Sequence, residues 1–170
     1  MIGSPSAWVV KYAPLIPHGG RVLDLACGNG RHAIWLAQLG YQVDAIDRDA
    51  QITSSMENIK NIKVYITDLE ENEGAKLPHS YDGIIVCRYL HRPLLKTLAE
   101  ILNPGGVLIY ETFMSGNERY GKPSNPNFLL LPDELLVTYS QQLRIVAFEQ
   151  GEENKPKKSV MQRICAIKEA

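Results

Sequence analysis

The chain has 170 residues, of which 45% are hydrophobic and 22% are charged, as is ordinary for a soluble globular protein. That length predicts one domain over residues 1–170, large enough to bury a core without disulfides. The formal net charge of −1 gives no electrostatic signal for a nucleic acid or an anionic membrane surface. Cys27, Cys87 and Cys165 are far apart and form no C-x-x-C pair, so we expect neither a disulfide framework nor a metal site.

The beginning of the chain has no basic region followed by an apolar run, so no signal peptide is expected. No apolar stretch approaches the roughly 18 residues that are needed to cross a bilayer. Cysteines without a pairing pattern are typical of a reducing compartment. Together these features predict a cytoplasmic protein with no membrane partner.

The first elements are a short helix, a strand and a second helix. Ser4 and Pro5 suit the start of a helix that ends near residues 14–17. Residues 22–26, which are apolar except for Asp24, predict a buried strand stopping in a glycine turn. An apolar stripe at helical spacing follows, and Gly40 is placed to end that helix.

The middle of the chain continues the alternation of strands and helices. The pattern predicts a strand at 42–46, a helix at 49–60 and a strand at 62–66. Residues 70–80 are polar and predict a solvated loop. The continuous apolar run at 81–87 predicts a strand that is covered on both faces.

The clearest amphipathic helix covers residues 94–102, where leucine and isoleucine recur at three- and four-residue spacing. The Asn-Pro-Gly-Gly sequence at 103–106 stops it and leads into a strand at 107–112. Residues 115–127 are rich in Gly, Pro and Asn and predict a loop, and a short helix is expected at 132–140.

Two final strands, at 143–149 and 160–168, are separated by a polar turn at 151–158 and predict an antiparallel hairpin. Strand–helix alternation before them predicts a doubly wound α/β sheet with helices on both faces. Ligands in such sheets bind outside the carboxyl ends of the strands.

Four polar side chains are predicted to line that crevice. Asp24 lies near the end of the first strand, while Asp47, Asp68 and Cys87 follow the second, third and fourth strands. The strand–glycine–helix corner beside Asp24 is suited to the polar end of a nucleoside cofactor, because a side chain on either of its glycines would block close approach of a ligand. The helix behind it offers unpaired N–H groups.

The corner formally satisfies the dinucleotide pattern G-x-G-x-x-A at residues 28–33, and Asp47 follows at a suitable distance. An NAD-dependent oxidoreductase is therefore one alternative. Three features disfavour it. Asp24 would repel a pyrophosphate, the chain has a single glycine-rich corner, and the sheet ends in a hairpin rather than in a second mononucleotide half.

These residues resemble those of the class I S-adenosylmethionine-dependent methyltransferases. The sequence Val-Leu-Asp-Leu-Ala-Cys-Gly-Asn-Gly at 22–30 resembles the first motif of that family. Asp47, Asp68-Leu69 and the turn at 103–106 match three further family positions in order. The nearest resemblance is to small bacterial methyltransferases of the tellurite-resistance type. It implies a three-layer sandwich around a mostly parallel seven-stranded sheet of order 3-2-1-4-5-7-6, with the last strand antiparallel.

The resemblance implies that S-adenosylmethionine is the cofactor and S-adenosylhomocysteine the product. Asp24 would hold the ammonium end, Asp47 would accept hydrogen bonds from both ribose hydroxyls, and Asp68 with Leu69 would bind the adenine. Cys87 and Arg88 would lie beneath the sulfonium. The cofactor-binding set that follows is Asp24, Ala26, Cys27, Gly28, Gly30, Asp47, Arg48, Asp68, Leu69, Cys87 and Arg88.

Each of these residues also has an ordinary structural interpretation. Asp24 is suited to capping the glycine turn, Asp47 to capping the next helix, and Asp68 to a solvated acidic loop. Cys87 is typical of a small buried hydrophobic residue. We expect His32 on the exposed first turn of its helix.

The acceptor side is predicted from the end of the fifth strand and the loop behind it. Glu111 is the candidate general base, with hydrogen bonding to the nearby loop as its alternative. No Asn/Asp-Pro-Pro-Tyr/Phe motif follows the fourth strand, which disfavours methylation of adenine or glutamine amino groups. The candidate acceptor-binding residues are Tyr89, His91, Asn117, Arg119 and Tyr120.

The short chain favours a small-molecule acceptor and no nucleic-acid partner. A monomer and a homodimer are both compatible with the sequence. A non-catalytic protein that keeps the cofactor pocket is a further alternative, because the sequence assures no catalytic base.

Overall fold

A computed structural model describes residues 1–71 and 76–170. Part of the predicted solvated loop, residues 72–75, lies outside the described residues. The α-helices are α1 (Ala7–Tyr12), α2 (Arg31–Gln38), α3 (Ala50–Thr53), α4 (Leu95–Glu100) and α5 (Glu134–Tyr139). The strands are β1 (Arg21–Leu25), β2 (Gln42–Asp47), β3 (Ile62–Ile66), β4 (Tyr81–Cys87), β5 (Leu102–Phe113), β6 (Arg144–Glu153) and β7 (Ser159–Ile167).

The strands form one seven-stranded sheet in the order β3-β2-β1-β4-β5-β7-β6. The pairs among β1 to β5 are parallel, and β7 is antiparallel to both β5 and β6. The predicted fold class and strand order are thereby confirmed. The hairpin of β6 and β7 occupies the place that a second mononucleotide half would take in a dinucleotide-binding sheet.

Two hydrophobic clusters cover the two faces of the sheet. One contains Trp8 of α1 and Leu36 of α2, so these helices pack on the same face. The other contains Leu98 of α4 and Leu135 of α5, which cover the opposite face. Central strands such as β4 contribute to both clusters and are almost fully buried, which explains their continuous apolar sequence.

Some predicted element bounds are wrong. The helix expected at 49–60 is only α3 followed by a 3-10 turn at Ser54–Met56, because Asn58 and Asn61 adopt left-handed backbone conformations that no α-helix accommodates. The helix expected at 94–102 is shorter, since it begins with a 3-10 turn at Arg92–Leu94 and its last predicted residue already belongs to β5.

The start of the first helix also differs from the prediction. Ser6 rather than Ser4 is its N-cap, and the Ser6 hydroxyl accepts a hydrogen bond from the backbone N–H of Trp8 at 3.2 Å. The loop expected at 115–127 contains two 3-10 turns, at Asn117–Arg119 and Pro126–Phe128.

Within residues 1–71 and 76–170, no helix is long and apolar enough to cross a membrane. The same ranges contain no group of three or more His, Cys, Asp or Glu side chains that could hold a metal ion.

Candidate active site

The turn after β1 is built from left-handed backbone conformations. Ala26, Gly28 and Gly30 have φ values of 54°, 56° and 84°. The backbone N–H of Cys27 donates to Ile46 of β2, and the N–H of Gly30 donates back to Cys27, each at 3.0 Å. For Ala26 this conformation costs about 1–2 kcal/mol, and such strain in a structured turn is characteristic of functional sites.

The two glycines of this turn are required for different reasons. A Cβ at Gly30 would lie 2.2 Å from the Met56 sulfur, so Gly30 is needed for packing against the segment after α3. A Cβ at Gly28 would meet no described heavy atom within 4 Å and would project into open space. Gly30 is therefore required for packing, and the expectation that a ligand approaches the backbone of these two glycines remains a prediction.

Asp47 links the end of β2 to the glycine turn. Its Oδ2 accepts a hydrogen bond from the N–H of Gly28 at 2.9 Å, and its Oδ1 accepts one from the N–H of Asp49 at 3.1 Å. Asp49, whose Oδ1 accepts from Gln51 and Ile52, is the N-cap of α3. The alternative in which Asp47 caps that helix is wrong, and its carboxylate is instead held at the edge of the sheet.

A cavity of about 450 Å³ opens beside Asp47 at the carboxyl edge of the sheet. That volume lies within the range of cavities that bind small ligands and cofactors. Its walls come from the ends of all five parallel strands and from the loop after β5: Ala26, Asp47, Arg48, Thr67, Asp68, Leu69, Glu70, Arg88, Tyr89, Leu90, Thr112, Phe113, Pro123 and Phe128.

The wall after β3 carries the predicted adenine-binding pair. Asp68 is half-buried, and its Oδ1 accepts a hydrogen bond from the N–H of Glu70 at 2.9 Å, while Leu69 is buried. The hydroxyl of Tyr89 donates to the Glu70 carboxylate at 3.3 Å. Tyr89, predicted for the acceptor, thus lines the same cavity as Asp68 and Leu69.

Asp24 lies behind the turn and is only 2% exposed. Among the described residues, its Oδ2 has no hydrogen-bond partner. Burial raises the pKa of Asp24 to about 7, against the opposing effects of the Ala33 N–H and the Arg31 charge. A buried carboxyl with an unused oxygen next to a ligand turn fits a bound ammonium group.

Two cysteines of the predicted cofactor set differ in exposure, since Cys27 is buried and Cys87 is half-buried. The Cys27 side chain is buried in the cluster that contains α1 and α2. The Cys87 thiol lies 3.3 Å from both Glu111 Oε1 and Arg31 Nη2. Burial, with the nearby Glu111 charge, raises the pKa of Cys87 to about 12. The thiol is therefore protonated at neutral pH and is no nucleophile.

A second cavity, of about 520 Å³, lies beside the first. Arg88 lines both cavities and has a left-handed φ of 56°. Its guanidinium lies 6.0 Å from the centre of the Phe113 ring. The walls of the second cavity are Ser4, Pro5, Ser6, Ala7, Trp8, Lys11, Arg31, Arg88, Glu111, Glu149, Glu153, Lys155, Pro156, Met161 and Arg163.

Glu111 lies at the end of β5 in the wall of the second cavity, and its carboxylate is fully engaged. Its Oε2 forms an ion pair with Arg163 Nε at 2.7 Å. Burial raises the pKa of Glu111, but hydrogen bonds from Ser6, Arg163 and Cys87 and the Arg163 charge outweigh it, so the pKa lies below its usual value. A carboxylate held in this way is a weak general base.

The expectation that His32 is exposed is wrong. Its side chain is 3% exposed, and its Nε2 accepts a hydrogen bond from the N–H of Ser6 at 3.0 Å. The neighbouring Arg31 donates to the carbonyl of Ser4 at 3.2 Å. Nothing in the sequence pattern of α2 indicates these contacts, since their partners precede the helix by about 26 residues.

The remaining predicted acceptor residues line neither large cavity. Asn117 is buried, where its amide donates to Pro123 and accepts from the N–H of Val160, so it holds the loop together. With Tyr120 and Arg88 it lines a smaller cavity of about 260 Å³, so its role for an acceptor remains a prediction. Arg119 and Tyr120 both bind Glu152 of β6, at 3.1 and 2.6 Å. His91 is half-buried before a 3-10 turn.

Comparison with known proteins agrees with this geometry. A family described as "Tellurite resistance protein TehB" matches residues 7–156. The chain belongs to the TehB family. The resemblance found in the glycine motif and the acids behind it is thereby confirmed.

Curated relatives match parts of the chain. A putative methyltransferase YqeM from Bacillus subtilis is 27% identical over 119 residues, which are 64% of this chain and 48% of the relative. A probable S-adenosyl-L-methionine-dependent methyltransferase TehB from Haemophilus influenzae is 30% identical over 108 residues, covering 58% and 37%. The chain thus matches less than half of the length of these relatives.

Solved structures support the assignment over nearly the whole chain. The crystal structure of TehB from Haemophilus influenzae has a TM-score of 0.79 and 25% identity, and covers 97% of this chain and 63% of that one. The glycopeptide N-methyltransferase MtfA, crystallised with S-adenosyl-L-homocysteine, has a TM-score of 0.68 and 16% identity, covering 98% and 90%. At that identity the second likeness shows the fold alone.

Proposed function

We propose that this TehB-family protein is a methyltransferase that uses S-adenosylmethionine. The observation that carries the proposal is the cavity of about 450 Å³ at the carboxyl ends of five parallel strands, with Asp47 bonded to the Gly28 turn at its edge. When bound, this cofactor supplies a methyl group activated by a sulfonium cation. The residues present fit such a ligand. Asp47 and Asp68 line the cavity with Ala26. The turn that follows Ala26 contains Gly28, whose Cβ position faces open space, and the strand before it carries the unpaired Oδ2 of Asp24.

Different residues of the chain are suited to different parts of the cofactor. Asp47 already accepts two backbone hydrogen bonds, and each carboxylate oxygen has a further lone pair for a ribose hydroxyl. Asp68 and the Leu69 N–H are suited to the adenine, with Arg48 beside them. Asp24 is suited to the ammonium group. Gly28 keeps the turn open for the methionine portion.

We propose that a small-molecule acceptor enters the second cavity. Its volume of about 520 Å³ is typical of small-ligand sites, and the shared wall at Arg88 brings it next to the cofactor cavity. Arg88 replaces the loop residues Asn117, Arg119 and Tyr120 as the best candidate for acceptor contact, because it lies between the two cavities and its strained backbone is typical of functional positions.

The proposed rate enhancement comes from positioning. Methyl transfer is an in-line displacement, and alignment of two reactants can account for about 7–11 kcal/mol of a barrier. Glu111 is engaged by Arg163, so we assign it to shaping the wall rather than to removing a proton. We also propose a cytoplasmic location, which free Cys27, Cys87 and Cys165 support.

The experiment is transfer of labelled methyl from S-adenosylmethionine across a panel of small thiols, amines, phenols and oxyanions. We expect Arg88→Met to slow turnover of an acceptor while the affinity for S-adenosylhomocysteine changes by no more than about threefold. That result would support the proposed roles of both cavities, one for the cofactor and one for the acceptor. Tight binding without turnover across the panel would favour the non-catalytic alternative.

A further inference from the structure

Residues 4–8 form one wall of the second cavity, and three contacts hold this wall in place. The backbone N–H of Ser6 donates to His32 Nε2 at 3.0 Å. Arg31 Nη1 donates to the Ser4 carbonyl at 3.2 Å. The indole N–H of Trp8 donates to the Ile164 carbonyl of β7 at 3.1 Å. Two of the three contacts come from the first turn of α2.

The first turn of α2 is also the end of the glycine turn. The N–H of Ile34 donates to the Gly30 carbonyl at 2.8 Å, which binds the helix to the turn. The same turn is fixed on its other side by the Gly28 bond to Asp47. A ligand at Gly28 and Asp47 therefore touches a hydrogen-bonded segment that continues directly to His32.

The hydrogen bond from Ser6 requires a neutral imidazole at His32, with an unprotonated Nε2. Burial, and to a smaller extent the charges of Arg31 and Arg88, lower the pKa of His32 to about 4, while the Glu111 charge opposes them. The imidazole is therefore neutral at pH 7. Because a backbone N–H only donates, Nε2 is the accepting nitrogen and the proton is assigned to Nδ1.

Glu111 lines the same cavity as Ser6. The Ser6 hydroxyl helps to lower the pKa of Glu111, and Glu111 Oε1 accepts from the Cys87 thiol at the end of β4. Ser6 is bonded through its backbone to α2 and through its hydroxyl to Trp8, whose indole in turn donates to β7. The wall is attached to the parts of the fold that surround the cofactor cavity, rather than to the remote surface.

We infer that His32 is a positioning residue for methyl transfer: through the Ser6 backbone it fixes the wall of the acceptor cavity to the glycine turn, so that cofactor binding orders the wall. This inference rests on the proposed function. It assigns His32 no contact with cofactor or acceptor. The coupling assigned to His32 runs through the one hydrogen bond that its side chain accepts, beside the Arg31 contact to the Ser4 carbonyl.

The test compares two variants of similar size. His32→Gln keeps an accepting oxygen, whereas His32→Met removes the acceptor. Hydrogen–deuterium exchange of residues 4–12 is measured with and without saturating S-adenosylhomocysteine. We expect the ligand to slow exchange by about fivefold or more in wild type and in His32→Gln, and to have no such effect in His32→Met.

A second pair tests the same bond from the donor side and applies even when His32→Met does not fold. Ser6→Pro removes the N–H, and the Ser6 φ of −59° suits proline. Ser6→Ala keeps the N–H and removes only the hydroxyl. We expect ligand-induced protection of residues 7–12 in the alanine variant and none in the proline variant.

Equal protection in Ser6→Pro and Ser6→Ala, or in His32→Met and His32→Gln, would overturn the inference. So would the absence of protection in wild-type protein that binds S-adenosylhomocysteine. Failure of the wild-type protein to bind S-adenosylhomocysteine is a distinct result, which would overturn the proposed function and the inference with it.

Discussion

The carboxylate of Glu111 and the guanidinium of Arg163 form an ion pair with 2.7 Å between Oε2 and Nε. Arg163 also binds Glu153 of β6, so one cation joins the end of β5 to the terminal hairpin. Glu111 Oε1 accepts from the Cys87 thiol. A carboxylate in the wall of the second cavity is thereby held in place by three elements of the fold.

Glu111→Gln should destabilise the fold. Breaking a buried ion pair costs about 3–5 kcal/mol, and we expect about 2 kcal/mol here, because Arg163 keeps Glu153 as a partner. Urea unfolding at pH 7 measures the change, with Glu57→Gln as the control, because Glu57 is exposed and lines neither cavity. Unchanged stability together with lost methyl transfer would instead assign Glu111 to catalysis.

The stability that Glu111 contributes should depend on pH. Its pKa is lower in the folded than in the unfolded state, so its contribution is complete above the unfolded value and is lost as pH falls through the folded one. The stability difference between wild type and Glu111→Gln should therefore be constant from pH 7 to 5 and shrink below about pH 4. A difference that grows towards acid would contradict the assigned ion pair.

Ligand binding should release protons from Asp24. Burial raises the pKa of Asp24 to about 7, so about half of the molecules carry the proton at pH 7. An ammonium group beside the carboxylate favours its charged form, and about half a proton should be released. Calorimetric titration of S-adenosylhomocysteine in two buffers of different ionisation enthalpy measures this number. The same proton release in Asp24→Asn would refute the assignment.

Gly28 and Gly30 offer a matched pair of alanine substitutions. Both strain a left-handed backbone, by about 1–2 kcal/mol, but only the Gly30 methyl meets the Met56 sulfur. Gly30→Ala should therefore lose about 2 kcal/mol more stability than Gly28→Ala in urea unfolding. Gly28→Ala should mainly weaken S-adenosylhomocysteine binding, by about tenfold, equivalent to about 1.4 kcal/mol. A larger loss of S-adenosylhomocysteine affinity in Gly30→Ala than in Gly28→Ala would contradict this and place the ligand at Gly30.

The sequence predicted the sheet and the edge that carries the site because these depend on local patterns. Apolar runs and glycine turns located every strand, and the position of Asp47 directly after β2 placed it at the crevice. Parallel strands present their carboxyl ends together, so the order of strands and acids along the chain was enough to assign Asp47 and Asp68 to one cavity.

What the sequence could not predict depends on contacts between distant segments. Arg163 is 52 residues from Glu111, so no local pattern shows that this carboxylate is engaged. The burial of His32 depends on Ser6, and the need for glycine at position 30 depends on Met56. Asn117 has the composition of a surface loop but is buried under the chain at Val160.

The assignment of the first cavity to S-adenosylmethionine is decided by calorimetric titration of S-adenosylhomocysteine into wild type and Asp47→Ala, with NAD as the comparison ligand. We expect saturable binding of S-adenosylhomocysteine, no saturable binding of NAD, and an affinity at least about tenfold lower in Asp47→Ala. Saturable binding of NAD alone, or equal affinity of both proteins for S-adenosylhomocysteine, would contradict the assignment.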